Sequence, residues 1–151
     1  MEVNFREYEP KNKKILTQLV LDFYKEIPSI KKVRNQNVEY TISELQQYPE
    51  KGIIIVFEVN EGVVGYAILI FFWSNEFGGN FVNVDELYVK PEFRNQGIGN
   101  QFFSYLKQKF TTAVAIQLEV NPQNKKAYQF YQKMGFKTHE NMVLDLEISD
   151  N

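Results

Sequence analysis

Apolar residues recur along this chain with two periods, and each change of period marks an element. Val3–Tyr8 alternates and reads as a short first strand. Lys13–Lys25 carries Ile15, Leu16, Leu19, Val20 and Phe23 at helical spacing. Pro28 interrupts, and a more polar second helix includes Ser43–Gln47, with Ser43 as its N-cap. Ile53–Val59 is β-branched and apolar, Asn60-Glu61-Gly62 is a tight turn, and Val63–Phe72 returns, so the pair predicts a hairpin. A polar loop, Ser74–Asn80, leads into a long strand, Phe81–Lys90, stopped by Pro91. Ile98–Phe110 places Ile98, Phe102, Tyr105, Leu106 and Phe110 on one helical face. Ala115–Val120 reads as a strand. Asn124–Met134 reads as a helix with Gly135 at its C-terminal stop, and Val143–Ile148 alternates as a final strand.

The predicted order is therefore β-α-α-β-β-β-α-β-α-β. The hairpins are antiparallel, while the strand-helix-strand unit from Phe81 to Val120 is expected to form a parallel, right-handed crossover. This implies an α/β (α+β) fold, a mixed and mostly antiparallel sheet with helices on both faces. No repeat, linker or low-complexity stretch interrupts residues 1–151, which predicts one domain.

Composition narrows the function. The chain is 44% hydrophobic and 24% charged with a formal net charge of −2, which suits a globular protein and argues against a nucleic-acid partner. Lys31, Lys32 and Arg34 cluster, as do Lys125 and Lys126, but neither run makes a basic stripe. There is no cysteine, which removes disulfides, thiolate metal sites and a cysteine nucleophile together. The longest apolar runs are too short to span a bilayer and the N-terminus lacks a signal peptide, so a soluble, cytoplasmic protein without a membrane partner is expected. His139 is the sole histidine, and no Gly-x-Ser-x-Gly or paired-histidine motif exists, which argues against a serine hydrolase or a zinc site; no metal is expected.

The chemistry concentrates in Val84–Gly99, a strand that turns into a helix. Arg94, Asn95, Gln96, Gly97, Ile98 and Gly99 lie at the turn. A helix start exposes backbone N–H groups and partial positive charge, glycines let an anion approach, and arginine adds a grip for phosphate. A P-loop would need lysine and then serine or threonine after the glycine, and Gly99 is followed by Asn100 and Gln101. A dinucleotide-binding turn would need a third glycine or alanine, where Phe102 stands.

Arg94-x-x-Gly97-x-Gly99 after Leu87-Tyr88-Val89, followed by Asn124-x-x-Ala127-x-x-x-Tyr131 and Gly135-Phe136, resembles the coenzyme A signatures of the GCN5-related N-acetyltransferase (GNAT) family. Asn95 stands where the family often has glycine, a departure that a negative φ would accommodate. The resemblance implies that Leu87, Tyr88 and Val89 bind the pantetheine arm like an added strand. It implies that this strand and the one ending near Val120 splay apart, and that the N–H groups from Asn95 to Gly99 hold the pyrophosphate. It further implies that Asn124 contacts the coenzyme and that Tyr131 stands near the thioester sulfur as an acid, with acetyl-coenzyme A as co-substrate.

Asp85 and Glu86 are the candidate bases. Their adjacency puts them on opposite faces of a strand, where burial would raise a carboxyl pKa. By resemblance to polyamine and aminoglycoside acetyltransferases Asp85 ranks first; a bulge would exchange the two, and a water-relayed base fits equally. The resemblance builds the acceptor side from Phe23, Tyr24 and Glu26 and from Phe72, Trp73, Asn75, Glu76 and Phe77. Rings beside carboxylates suit a small cationic amine. The expected activity is direct acetyl transfer to a primary amine in a ternary complex. A non-catalytic acyl-coenzyme A sensor and a protein N-terminal or lysine acetyltransferase stay open, as does a homodimer through the last strand or a sheet edge.

Overall fold

A computed structural model describes residues 1–27 and 33–149; the break at Pro28 and the Lys31–Lys32 pair lie outside the described residues. The chain divides into two compact units, Met1–Leu118 and Glu119–Asn151.

The first unit is a five-stranded sheet in sequential order. Its strands are β1 (Asn4–Glu7), β2 (Gly52–Val59), β3 (Gly62–Ser74), β4 (Gly79–Val89) and β5 (Ala115–Leu118). The pairs β1–β2, β2–β3 and β3–β4 are antiparallel, and β4–β5 is parallel. Helices α1 (Lys13–Lys25) and α2 (Asn35–Gln47) precede β2, and α3 (Ile98–Lys109) connects β4 to β5.

Side-chain parity assigns the layers. Leu16, Leu19 and Val20 of α1 and Val38, Ile42 and Leu45 of α2 join Ile54, Tyr66, Ile68 and Tyr88 in one buried cluster. Residues of opposite parity face the other way. Phe57 and Phe5 meet Phe102 of α3, with ring centroids 4.9 Å and 5.7 Å apart. Two helices thus cover one face of the sheet and one covers the other.

The observed elements depart from the periodicity in three places. α2 begins at Asn35, a full two turns before Ser43; its polar first turn hides Val38, Ile42 and Leu45, which repeat at helical spacing. The β3–β4 hairpin is longer than expected, with strand pairing reaching Ser74 and Gly79. Val143–Ile148 forms no strand, and Val143, Leu144, Leu146 and Ile148 are exposed. Alternation makes a segment competent for pairing, but a strand also needs a ladder partner, and none is supplied among the described residues.

The second unit contains α4 (Lys125–Met134). Asn124 caps it, its side-chain oxygen accepting from the Ala127 N–H at 3.2 Å. Gly135 ends it at φ 103°, with the Phe136 N–H bonded to the Tyr131 carbonyl and the Gly135 N–H to the Gln132 carbonyl, both at 3.0 Å. This is the paired-bond stop that favours glycine.

Candidate functional site

The site in the first unit grows from an irregularity in β4. Ile68 of β3 pairs with Glu86 and Leu69 pairs with Val84, so Asp85 is the extra residue of a β-bulge. The bulge resets parity in the strand. Asp85 is exposed, and Glu86 turns inward beneath α1 and α2.

Glu86 is held by two phenols. Tyr66 O–H donates to Oε1 at 2.8 Å, and Tyr24 O–H donates to Oε2. Burial raises the Glu86 carboxyl above its ordinary 4.5, an effect opposed by the two phenol hydrogen bonds and aided by the nearby Asp85 charge. Partial desolvation also raises Asp85. Burial and the Glu86 charge push both Tyr24 and Tyr66 upward, so they remain donors. The chain distance hides this trio, since Tyr24 and Glu86 lie 62 positions apart. Tyr66 escapes notice as one more ring in an apolar strand. The available signal is that a buried phenol needs a polar partner.

Glu86 forms part of the lining of a cavity of about 180 Å³. α1 contributes Leu16, Val20 and Tyr24, α2 contributes Asn37, Val38 and Thr41, and the sheet adds Ile54 and Ile68.

The open edge of β4 lies next to Glu86. Pairing with β5 ends at Val84–Leu118, while β4 continues to Val89. In an antiparallel ladder each residue points its N–H and C=O to the same side, and neighbours alternate. The Lys90 N–H reaches the Val64 carbonyl on β3, so the backbone groups of Leu87 and Val89 point to the edge that β5 has left. Tyr88 presents its backbone to β3 and its ring to the core.

The turn after β4 is shaped by two left-handed residues. Asn95 has φ 62° and Gly97 has φ 85°. The negative φ expected at Asn95 is not found; asparagine is among the few non-glycine types that adopt this conformation readily. A Cβ built on Gly97 would meet nothing within 4 Å, so the space above it is open. The Gln101 N–H makes the first helical bond, to the Gly97 carbonyl at 3.1 Å. The N–H groups of Ile98, Gly99 and Asn100 precede that bond and point out of the helix start. These features fit an anion on the backbone and an extended amide-bearing arm on the β4 edge.

Arg94 is engaged elsewhere. Its Nε donates to the Val89 carbonyl at 2.8 Å, and Nη2 reaches both Glu26 oxygens at 3.0 Å and 2.9 Å. The guanidinium lies 5.3 Å from the Tyr88 ring centroid. Arg94 therefore ties the turn to β4 and to the end of α1, and Gln96 bonds the Glu92 carbonyl at 3.0 Å.

The remaining candidates separate. Phe23 packs against Tyr24 and Tyr88, with centroids 5.0 Å and 6.1 Å apart. Phe72, Trp73, Asn75, Glu76 and Phe77 lie at the exposed β3–β4 tip, where Ser74 pairs with Gly79. At ~3.3 Å per residue, the tip is about 20 Å along the strand from Glu86, so the hairpin's length removes these residues from the cavity. In the second unit, the half-buried Tyr131 meets Phe130 and Phe136 at 5.4 Å and 5.6 Å, and burial raises its phenol. Asn124 spends its side-chain oxygen on the helix cap, and His139 is exposed. Among the described residues no helix is long and apolar enough to cross a membrane.

Comparison with known proteins places this geometry. An N-acetyltransferase of Methanocaldococcus jannaschii is 33% identical over 101 residues, covering 64% of this chain and 43% of that protein. A thialysine N-ε-acetyltransferase of Sus scrofa is 35% identical over 75 residues, covering 48% of this chain and 44% of the relative. The matches thus span less than half of each relative's length. A solved structure of a possible acetyltransferase from Clostridium difficile 630 superposes with a TM-score of 0.83 at 22% identity, covering 99% of both chains, and shares the fold. The model of the acetyltransferase (GNAT) family matches residues 16–136, a span that includes the β4 bulge, the Arg94–Gly99 turn and α4, and the chain belongs to that family.

Proposed function

We propose that this protein transfers the acetyl group of acetyl-coenzyme A directly to a primary amine, with Glu86 as the general base. The observation that carries this reading is the inward carboxylate at the bulge, beside an open β4 edge and an N–H-rich turn. Leu87 and Val89 offer the pantetheine amides a strand-like partner, and the turn from Asn95 to Gly99 offers the diphosphate its N–H groups. An ammonium acceptor loses a proton to Glu86, and the neutral amine attacks the thioester carbonyl. As the tetrahedral adduct collapses, the carbon–nitrogen bond replaces the carbon–sulfur bond and the nitrogen releases its second proton. The departing thiolate takes a proton, by the family resemblance from the Tyr131 phenol, which the proton released by nitrogen restores. Glu86 is placed ahead of Asp85 because Asp85 remains exposed while Glu86 is desolvated and oriented by two phenols. The thialysine activity of the Sus scrofa relative supports a small amine as acceptor.

Thiol release with a panel of primary amines tests this directly. Turnover that requires both acetyl-coenzyme A and an amine is expected. Coenzyme binding without turnover on any amine would replace this reading with that of a sensor. Tyr131→Phe is expected to lower kcat about tenfold with KM for the coenzyme unchanged, a modest loss because a thiolate leaves tolerably without protonation. Unchanged kcat would remove Tyr131 from the proton path.

Glu26 opposes coenzyme binding by neutralising Arg94 at the turn. The pair is partly exposed, so its influence is small and screened by salt. Glu26→Gln is expected to tighten coenzyme binding about two- to fivefold at low ionic strength, an advantage that fades in high salt. Calorimetric titration at two salt concentrations checks both statements.

A further inference from the structure

We infer that the cavity beneath α1 and α2 selects a straight-chain aliphatic monoamine, with the amino group at Glu86 and the alkyl stem between the two helices. This inference rests on the acetyltransfer reading above and names its acceptor. Among the described residues that line the cavity, Glu86 alone carries charge. Six aliphatic side chains, Leu16, Val20, Val33, Val38, Ile54 and Ile68, supply the apolar part of the wall, and Tyr24 of α1 with Asn37 and Thr41 of α2 supply its uncharged polar groups.

Three consequences follow from that lining. A single carboxylate satisfies one ammonium, so a second cationic centre on the acceptor would be stranded against aliphatic side chains at a desolvation cost. A polyhydroxylated amine would exchange many hydrogen bonds to water for the few that Tyr24, Asn37 and Thr41 offer among six aliphatic side chains. The aromatic and acidic residues that would favour a polycation, Trp73, Glu76 and Phe77, stand at the distant hairpin tip. The size of the cavity sets the length. An apolar cavity of ~150 Å³ holds benzene, so about 180 Å³ accommodates roughly seven non-hydrogen atoms. That corresponds to an amine of about six carbons.

The test uses the full chain with acetyl-coenzyme A and a homologous series from n-propylamine to n-octylamine, beside putrescine, cadaverine and spermidine. Each added methylene buried in the cavity is expected to raise kcat/KM about three- to fourfold, with the rise ending near six carbons. Cadaverine is expected to fall at least tenfold below n-pentylamine. Thr41→Leu, which adds volume to the wall, is expected to move the optimum down by one or two carbons; Val20→Leu repeats the test from α1 should the first variant fold poorly. Calorimetric binding of n-hexylamine without coenzyme reads the cavity independently of turnover. Turnover with polyamines preferred, or a chain-length profile indifferent to both variants, overturns the inference and leaves acetyltransfer standing. Hexylamine binding that both variants weaken, with no turnover of any amine, supports the cavity assignment and overturns acetyltransfer instead. No hexylamine binding in a folded protein overturns the cavity assignment.

Discussion

Glu86→Gln is expected to lower kcat/KM for an amine acceptor about 10²- to 10⁴-fold, the range of a lost general base, while coenzyme affinity is retained. Glutamine keeps the shape and can still accept a phenol hydrogen bond, so the loss isolates proton transfer from packing. The pH profile of the wild type adds an independent reading. The base must be ionised, and burial holds its carboxyl above 4.5. Activity therefore falls with acid at a pH above the ordinary carboxylate range.

Two neighbours move that limb in opposite directions. The Tyr24 hydrogen bond favours the ionised form, so Tyr24→Phe shifts the limb to higher pH. The Asp85 charge disfavours ionisation of Glu86, so Asp85→Asn shifts it lower while leaving most of the activity. Were Asp85 itself the base, Asp85→Asn would abolish turnover and Glu86→Gln would spare it. Stability carries the same signature with its own sign. The raised carboxyl binds its proton more tightly in the folded state, so this stabilisation is complete below the unfolded value and is lost as pH rises through the folded one. Urea unfolding should show the wild type losing ground to Glu86→Gln as pH rises through that window.

The division between what periodicity reveals and what it conceals follows from the range of the interactions. α1 is legible because its apolar stripe is local, and the same holds for β2, α3 and the glycine stop of α4. The turn proposed to hold the coenzyme is legible as a candidate because its chemistry is contiguous: Gly97 and Gly99 sit beside the helix they open. Glu86 is different. Its inward direction depends on an extra residue at Asp85, which exists only relative to β3, and on phenols from α1 and β3. The acceptor side misleads for a related reason. Trp73, Glu76 and Phe77 have suitable chemistry, but only the register of the hairpin reveals that they sit at its far end. Arg94 has the charge to grip phosphate, and its partner Glu26 lies 68 positions away.

Gly97→Ala is expected to weaken binding of coenzyme A about 30- to 100-fold and to lose about 1–2 kcal/mol of stability from the left-handed φ of 85°. The two effects have separate origins. An added Cβ meets no atom of the chain within 4 Å, so the protein itself has room for it. The open space is where a diphosphate would approach the N–H groups at the start of α3, and a methyl group there holds it off by more than a hydrogen bond can span. Gly97→Asn separates strain from obstruction. Asparagine tolerates positive φ, as Asn95 does at 62° two positions earlier. Its side chain still occupies the approach. Titration calorimetry and urea unfolding on both variants therefore give a pattern: the asparagine variant recovers much of the stability and little of the affinity. Wild-type affinity in both variants would remove the diphosphate from this turn, and with it the placement of the thioester beside Glu86.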